Sequence, residues 1–393
     1  MTLDGFVAPG WEGVRDAFTE NLSDTEEVGA GAAVYHRGEK VVDLTGGWFD
    51  EAQSRPYDAG TLQLVFSTTK GITSIAVAMC VQRGLLAYDQ PVSSYWPEFA
   101  AHHKGAATVA QLLSHQCGLF SVQGPLTMAE ALDWTTITSR LADTAPEWPI
   151  GSTHGYHAVT FGFLAGELVR RVDPQHRNIG RFVQEEIAEP LGVEFYIGLP
   201  EALEPRVSPL IGGMTSRSDD PNVQAMIDMF TGPESNAGRA LSLNGALSGD
   251  GLFNTRAVHA AEIPAANGIS NAASIARIYA ATLAPVGGVQ LLDDATRDVA
   301  RTTVTPLGEA DACLVVGTTF GMGFMTSGMF SPFAGPGSYG HPGAGGSVGF
   351  AHPEHQLAVG YVMNRMAANL ASDVRAQRIT DAAVAAAVAV AGG

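Results

Sequence analysis

Apolar, β-prone runs lie near both ends of this chain, and helical apolar segments fill its middle. The strand-like runs are 31–36, 40–44, 320–326, 346–351 and 356–363. The turn-forming residues 37–39 between the first two runs predict a β-hairpin. Helix-like stretches at 15–22 and 382–391 flank the strand-like runs. We therefore predict an α+β fold, in which an antiparallel sheet is built from both termini and flanked by helices.

The middle of the chain has the pattern of helices joined by Pro- and Gly-bearing loops. The helical segments are 72–82, 110–114, 129–142, 160–172, 180–188 and 272–283. This order predicts a sheet domain of residues 1–62 and 296–393 and an inserted, mostly helical domain of residues 63–295, with the active site between the two. Residues 203–264 are loop-rich, and we expect them to form a rim over a site.

Composition excludes several classes of protein. A chain of 393 residues that is 46% hydrophobic buries a sizeable core, which excludes general disorder. The net charge of −18 repels phosphate backbones and anionic lipids, so we expect neither a nucleic-acid nor a membrane partner. The start of the chain has no signal-like pattern, and Cys80, Cys117 and Cys313 include no C-x-x-C pair. We expect reduced thiols and a cytoplasmic location.

The most informative stretch runs from Phe66 to Gly71 and opens the apolar segment 72–82. Only three lysines occur in the chain, and Lys70 is one of them. Residues three apart on a helix share a face, so the Lys70 amine can reach the Ser67 hydroxyl. This pairs a nucleophile with a base. By itself the S-x-x-K motif is weak, because a chance match is a roughly one-in-six event.

The predicted helix start adds a second effect at Ser67. Backbone N–H groups there lack intrahelical partners, so the N–H of Ser67 can face an oxyanion. The positive end of the helix disfavours an ammonium, and burial beside Phe66 acts in the same direction. We therefore expect the pKa of Lys70 to be depressed.

Two further stretches have the composition of loops that approach a ligand. Tyr156 lies in the Gly-punctuated loop 151–158, where a phenol can accept or relay a proton; alone, it reads as a packed aromatic. The glycine-rich stretch 340–346 allows a close approach of backbone to a ligand and leaves the N–H of Ala344 available as a donor. Alone, this stretch reads as a turn.

Taken together and in order, these stretches resemble the three motifs of the serine β-lactamase/penicillin-binding-protein superfamily. The motifs are Ser67-Thr68-Thr69-Lys70, Tyr156-His157-Ala158 and His341-Pro342-Gly343. Residues 112–119, 149–151 and 190–192 also resemble stretches of that family. The resemblance spans roughly residues 28–365 and is greatest to the class C-like esterase branch, the family VIII carboxylesterases.

The resemblance implies a β-lactamase/transpeptidase-like fold and acyl-enzyme chemistry. Ser67 would attack a carbonyl, and Lys70 and Tyr156 would share the roles of base and acid. The N–H groups of Ser67 and Ala344 would form the oxyanion hole. Which of Lys70 and Tyr156 takes the first proton stays open, because coupled groups titrate as a pair.

Departures from the family pattern narrow the expected substrate. Penicillin-recognising members usually have Asn where Ala158 stands, and a lysine that binds a carboxylate where His341 stands. Since His341 is mostly neutral at pH 7, an uncharged ester fits better than an acidic β-lactam. We expect His157, His341 and Gly343 to contact the substrate.

Other motifs favour simpler readings. Ser347 formally completes a G-x-S-x-G motif, but a strand-like run follows it where a nucleophile elbow needs a helix. We expect Ser347 to be a small residue in the strand beside the site. The histidine pairs have no metal-site spacing, and the glycines near Ser347 form no phosphate loop. We therefore expect no metal and no cofactor.

The resulting prediction is a serine carboxylesterase that cleaves small, uncharged carboxylic esters through an acyl-Ser67 intermediate. Phe66, Trp148 and Phe161 are candidates for lining an acyl pocket. The alternatives on the same residues are an amide or D-amino-acid peptide hydrolase, a weak β-lactamase or an acyltransferase. A penicillin-sensing protein without turnover is the alternative from another class. The expected partner is a small-molecule ester, and the sequence is compatible with a homo-oligomer.

Overall fold

The largest element of the fold is a seven-stranded antiparallel sheet to which both ends of the chain contribute. The computed structural model describes residues 3–24, 27–213, 232–367 and 373–392. The strands are β1 Leu3–Val7, β2 Gly29–His36, β3 Glu39–Gly47, β4 Leu62–Leu64, β5 Phe195–Tyr196, β6 Val207–Ser208, β7 Ile269–Ser270, β8 Met325–Thr326, β9 Tyr339–Pro342, β10 Val348–His352 and β11 Leu357–Met363. The large sheet has the order β1-β3-β2-β11-β10-β9-β8.

The pairing of β2 with β11 joins the two ends of the chain. In the antiparallel register, Val34 lies opposite Val359 at the centre of the sheet. The predicted hairpin connects β2 to β3 through Arg37 and Gly38, whose φ angles of 53° and 81° suit a tight two-residue turn. The predicted α+β fold with a sheet built from both termini is confirmed.

Helices cover both faces of the sheet and fill the middle of the chain. They are α1 Glu12–Asp24, α2 Thr68–Gln82, α3 Val109–Leu113, α4 Met128–Leu132, α5 Trp134–Ala142, α6 Thr160–Val172, α7 Ile179–Val183, α8 Glu189–Leu191, α9 Asn236–Ser242, α10 Arg256–Ala260, α11 Ala272–Ala280, α12 Asp294–Arg301 and α13 Val374–Gly392. Short 3₁₀ segments are Val92–Ser94, Pro97–His103, Glu201–Arg206, Leu252–Asn254 and Ala344–Gly346, and Gln184–Ala188 is a π-helical turn.

The terminal helices α1 and α13 pack together on one face of the large sheet, while α11 packs on the other. Helix α2 lies beneath strands β9 and β10 and against α6, and its residues from Thr68 to Cys80 are all buried. A helix that is apolar on all sides is suited to this central position. The start of α2 therefore sits at the junction between the sheet and the helical region.

The middle of the chain differs from the prediction in two respects. Strands β4 to β7 form a second, four-stranded sheet inside a region predicted to be mostly helical. Helix α11, which the sequence assigned to the range 63–295, packs against the large sheet. The division into a domain of 1–62 and 296–393 and a domain of 63–295 stays a prediction.

Two predicted elements are interrupted in the structure. The helical pattern 129–142 is split into α4 and α5, because the Asp133 side chain accepts a hydrogen bond from the N–H of Thr136 and starts a new helix. In the run 320–326 only Met325–Thr326 forms a strand, since a turn at 321–324 intervenes. Hydrophobic periodicity in the sequence does not reveal where a side chain bonds to a backbone N–H group and thereby interrupts a helix.

No helix in the described part of the chain is both long enough and apolar enough to cross a membrane. Cys80, Cys117 and Cys313 are buried free thiols.

Replacing Gly360 by alanine should destabilise the fold, because β11 and α11 touch at this residue. An added Cβ would lie 2.4 Å from the carbonyl oxygen of Ala272 and 3.0 Å from the amide nitrogen of Ala276, both in the backbone of α11. The helix would have to move away from the sheet. We expect the free energy of unfolding, measured by urea denaturation, to fall by about 2 kcal/mol.

The matched control is Gly13→Ala in α1, where an added Cβ meets nothing within 4 Å. This exchange should leave the free energy of unfolding unchanged or raise it by up to about 1 kcal/mol. Equal stability of both variants would show that α11 is not tightly seated on the sheet.

Candidate active site

Ser67 lies in the turn between strand β4 and helix α2. The preceding residue, Phe66, has a φ of 42°, in the left-handed region that bulky residues rarely adopt. Such strain is typical of functional turns. Ser67 is the N-cap of α2, yet its side chain makes no capping hydrogen bond, which serine in this position usually does. Its hydroxyl is therefore left for another partner.

The Lys70 side chain provides that partner from one turn further along α2. Its Nζ lies 3.0 Å from Ser67 Oγ, as the three-residue spacing predicted. The same atom lies 2.6 Å from the carbonyl oxygen of Ala158 and 3.0 Å from that of Ala265. Lys70 has no solvent exposure and forms no salt bridge with any described carboxylate.

Tyr156 approaches the same two side chains from the loop before α6. Lys70 Nζ lies 4.7 Å from the centroid of the Tyr156 ring, and the phenol lies next to the Ser67 side chain. The structure thus brings together the alcohol, the amine and the phenol that the sequence singled out, although they are up to 89 positions apart in the chain.

Asp311, which the sequence reasoning missed, holds the Tyr156 loop in place. Its Oδ1 accepts hydrogen bonds from the N–H groups of Tyr156, Cys313 and Leu314 at 2.8–2.9 Å. Its Oδ2 accepts one from the Thr318 hydroxyl at 2.8 Å. The carboxylate is 1% exposed. No motif marks Asp311 in the sequence, because its partners are mostly backbone groups.

Burial sets the protonation of the site. Removal from solvent lowers the pKa of Lys70 well below its ordinary value, in the predicted direction, and burial is the cause. Burial also raises the pKa of the Tyr156 phenol, which the contact with the Ser67 side chain partly opposes. Both shifts favour the uncharged forms of the amine and the phenol.

A cavity of about 50 Å³ opens in front of Ser67. Most of its lining is apolar. The lining residues are Phe66, Ser67, Tyr156, Ala158, Val159, Leu241, Phe253, Ala266, Leu314, Phe330, His341, Pro342 and Ala344. Of the three aromatic residues expected around an acyl pocket, Phe66 lines this cavity, whereas Trp148 and Phe161 do not.

His341 lines this cavity and has an unpaired ring nitrogen. Its Nδ1 donates to the carbonyl oxygen of Pro342 at 2.7 Å, which leaves Nε2 as the acceptor of the neutral ring. Nε2 is buried and has no described hydrogen-bond partner. Burial, together with the nearby Lys70, lowers the pKa of His341 to about 3. The ring stacks on Tyr156 with centroids 5.8 Å apart.

Two backbone N–H groups at the cavity wall are unpaired. Within the described ranges, neither the N–H of Ser67 nor that of Ala344 donates to a protein acceptor. Ser67 starts α2, and Ala344 starts the 3₁₀ turn after β9. Both residues line the cavity. The site therefore offers two donors of the kind that stabilise an oxyanion.

The structure places the other two expected substrate contacts behind the cavity wall. Both ring nitrogens of His157 are hydrogen-bonded to the main chain. Nδ1 donates to the carbonyl oxygen of Gly155 at 2.6 Å, and Nε2 accepts from the N–H of Leu119 at 2.8 Å. Gly343 is packed so closely that an added Cβ would lie 2.3 Å from the carbonyl oxygen of Val65. Neither residue lines the cavity, so we give them structural roles.

We compared the sequence with the models of known protein families. The sequence matches the family described as Beta-lactamase over residues 14–384. The chain belongs to this family. The resemblance inferred from three short motifs is thus confirmed, as is the fold that it implied.

Similar proteins and similar solved structures match nearly the whole chain. "Esterase/beta-lactamase LipL" of Mycobacterium tuberculosis is 34% identical over 375 residues, which is 92% of this chain and 83% of LipL. The crystal structure of a family VIII carboxylesterase superposes with a TM-score of 0.86 at 34% identity, covering 98% of this chain and 100% of the other. A penicillin-binding protein homolog from Caulobacter crescentus gives 0.86 at 36% identity, with the same coverage.

In this beta-lactamase-family chain, the G-x-S-x-G serine is a packing residue. Ser347 Oγ donates to the carbonyl oxygen of Val65 at 2.9 Å and lies 3.1 Å from Thr68 Oγ1. Strand β10 follows it directly, as the sequence indicated. Across the described residues, no three His, Cys, Asp or Glu side chains are grouped in a way that could hold a metal ion.

Asp311→Ala should destabilise the loop that carries Tyr156, because three buried N–H donors and one hydroxyl lose their acceptor. Unsatisfied buried donors are costly. We expect the free energy of unfolding to fall by about 3 kcal/mol in urea denaturation. Asp311→Asn keeps one acceptor oxygen and should lose less than half of that amount. Equal losses in the two variants would contradict the hydrogen-bonding role of Asp311.

Proposed function

We propose that this protein is a serine carboxylesterase that hydrolyses small, uncharged carboxylic esters through an acyl-Ser67 intermediate. The observation that carries the proposal is the 3.0 Å approach of Lys70 Nζ to Ser67 Oγ inside a buried pocket. A serine hydroxyl is a weak nucleophile until an adjacent base removes its proton.

The hydrogen bonds around Lys70 support its role as that base. A neutral amine has two N–H groups and one lone pair. The carbonyl oxygens of Ala158 and Ala265 accept the two N–H bonds, so the lone pair is left facing Ser67. In this state the serine O–H donates to Nζ, which can take the proton as Oγ attacks.

Tyr156 has the complementary role. Burial keeps its phenol protonated at neutral pH, so it is a hydrogen-bond donor rather than a base. We assign Lys70 as the first base and Tyr156 as the acid that protonates the leaving alcohol. With both groups neutral at the start, Lys70 takes the serine proton and Tyr156 supplies the proton that the leaving alcohol needs.

The oxyanion formed in the attack would be stabilised by the unpaired N–H groups of Ser67 and Ala344. Both groups are fixed by backbone structure, and one lies at the N-terminus of α2. Preorganised donors of this kind are often the largest single contribution to catalysis of acyl transfer.

Three features of the cavity favour a small neutral ester. The wall is largely apolar and encloses about 50 Å³. His341 is uncharged and offers an acceptor, which repels a substrate carboxylate. Ala158 offers no side-chain hydrogen bond to an amide. The names of LipL, an esterase/beta-lactamase, and of the family VIII carboxylesterase point to the same activity.

A second candidate is slow β-lactam hydrolysis on the same residues. The name of LipL includes this activity, and a penicillin-binding protein homolog is among the similar structures. The missing amide at Ala158 and the neutral His341 make it the weaker activity.

Ser67→Ala should abolish ester hydrolysis and covalent labelling, since no other described hydroxyl has a basic partner in the cavity. We expect the turnover of p-nitrophenyl acetate to fall more than about 1,000-fold. Intact-mass spectrometry of the wild-type protein, quenched during turnover, should show one acyl adduct, which peptide mapping assigns to Ser67.

Ser347→Ala is the matched control, and it should keep the adduct on Ser67. More than a tenth of wild-type turnover in Ser67→Ala would place the nucleophile elsewhere. A stoichiometric burst without steady-state turnover would identify an acyl trap instead of an esterase. Faster turnover of nitrocefin than of p-nitrophenyl esters would favour the second candidate.

Acylation should depend on the protonation of Lys70, because only the neutral amine can accept the serine proton. Burial lowers the pKa of Lys70. A plot of kcat/KM against pH should therefore rise with an inflection well below the ordinary pKa of lysine, because Lys70 is protonated and inactive at lower pH. Lys70→Arg keeps the charge but cannot lose it, and we expect at least a 100-fold lower kcat/KM. Near-normal activity of this variant would refute the base role.

A further inference from the structure

Arg375 at the start of α13 is buried behind the candidate oxyanion loop. It is 5% exposed. Its Nε and Nη2 donate to the two carboxylate oxygens of Asp373 at 2.9 Å. Its Nη1 donates to Glu27 Oε2 at 2.7 Å and to the carbonyl oxygen of Arg365 at 3.0 Å. These bonds use four of the five guanidinium donors and fix its plane.

The fifth donor reaches the loop that carries Ala344. Arg375 Nη2 lies 2.7 Å from the carbonyl oxygen of Gly345. The same oxygen accepts a second hydrogen bond from Ala367 N at 3.0 Å. The guanidinium and a backbone amide thus hold one peptide group of this loop from the side opposite the cavity.

That peptide group is joined to the oxyanion donor by one more hydrogen bond. The peptide group between Gly345 and Gly346 consists of the Gly345 C=O and the Gly346 N–H. Its C=O accepts the hydrogen bond from Arg375, and its N–H donates to the carbonyl oxygen of Gly343 at 3.1 Å. Gly343 O belongs to the peptide whose N–H is that of Ala344. Two peptide groups therefore run head to tail from a buried cation to the unpaired N–H of Ala344.

This arrangement has an electrostatic and a geometric consequence. Each peptide group has a dipole of about 3.5 D, and hydrogen bonds in a chain polarise one another in a low-dielectric interior. Asp373 and Glu27 balance the charge of Arg375, but its N–H group, which donates directly to the carbonyl oxygen, polarises the peptide and increases the positive charge at the far N–H. It also prevents the peptide planes from rotating, so the donor keeps its direction toward the cavity.

We propose that Arg375 is a positioning residue for the oxyanion hole, which orients and polarises the N–H of Ala344 through the two intervening peptide groups. This inference rests on the proposed function. Arg375 does not line the cavity, so it acts on the transition state without touching the substrate.

A merely structural arginine offers a matched control in the same chain. Arg177 is 6% exposed, forms a bidentate pair with Asp173 and bonds a further carboxylate of Glu185. Its side chain makes no described hydrogen bond to the candidate active site. The exchanges Arg375→Lys and Arg177→Lys both keep the charge and remove a planar, buried fork.

The experiment compares these two variants on an ester and on the corresponding thionoester. Sulfur is a poorer hydrogen-bond acceptor than oxygen, so an intact oxyanion hole favours the ester. We expect Arg375→Lys to lower kcat for the ester about 10-fold, less than the 100- to 1,000-fold cost of losing a whole donor. KM should change less than threefold, and the ester-to-thionoester ratio of kcat/KM should fall about 10-fold. Arg177→Lys should change neither kcat nor the ratio.

The outcomes separate this inference from the proposed function. An unchanged ratio in folded Arg375→Lys, or an equal change in Arg177→Lys, would overturn the positioning role while wild-type turnover through Ser67 still stands. Absence of Ser67-dependent turnover in the wild type would overturn the proposed function itself.

If Arg375→Lys does not fold, the variant with Glu27→Gln, Asp373→Asn and Arg375→Gln removes all three charges together. The same loss of ratio is expected there, and a wild-type ratio would refute the inference.

Discussion

The site depends on the burial of one amine. Lys70 has no solvent exposure, and no carboxylate within the described part of the chain compensates an ammonium there. Two backbone carbonyls from distant segments satisfy its N–H groups instead. This arrangement makes the neutral form stable. The lowered pKa of Lys70 and the raised pKa of Tyr156 both follow from the same exclusion of water.

The rest of the fold fixes the two halves of this pocket relative to each other. Helix α2 brings Ser67 and Lys70 from the core, and the Asp311 carboxylate ties the Tyr156 loop to a distant segment by accepting a hydrogen bond from the Tyr156 N–H. The large sheet brings Ala344 on the turn after β9. Because Arg375 and Glu27 come from opposite ends of the chain, the oxyanion loop is held by the same pairing of termini that builds the sheet.

The proposed preference for neutral substrates has one physical cause, the desolvation of the pocket. Desolvation lowers the pKa of His341 and of Lys70 and raises that of Tyr156. Among the described residues that line the cavity, none has a charge at neutral pH to attract a carboxylate. In the proposed reaction, the same desolvation would strengthen the two backbone donors toward an anion that forms at Ser67.

Sequence alone determined the strand-like runs at both ends, the hairpin of β2 and β3 and the pairing of Ser67 with Lys70, since periodicity and a three-residue helical spacing are local properties. The resemblance of three short motifs to a known family predicted the family. Only the tertiary structure shows the contacts between residues that are far apart in the chain. Asp311 and Arg375 bond to backbone groups far away in the chain. The sequence predicted a substrate contact for His157, and in the structure both of its ring nitrogens bond to the main chain. Such roles depend on which carbonyls and amides lack other partners, and only the folded chain settles that.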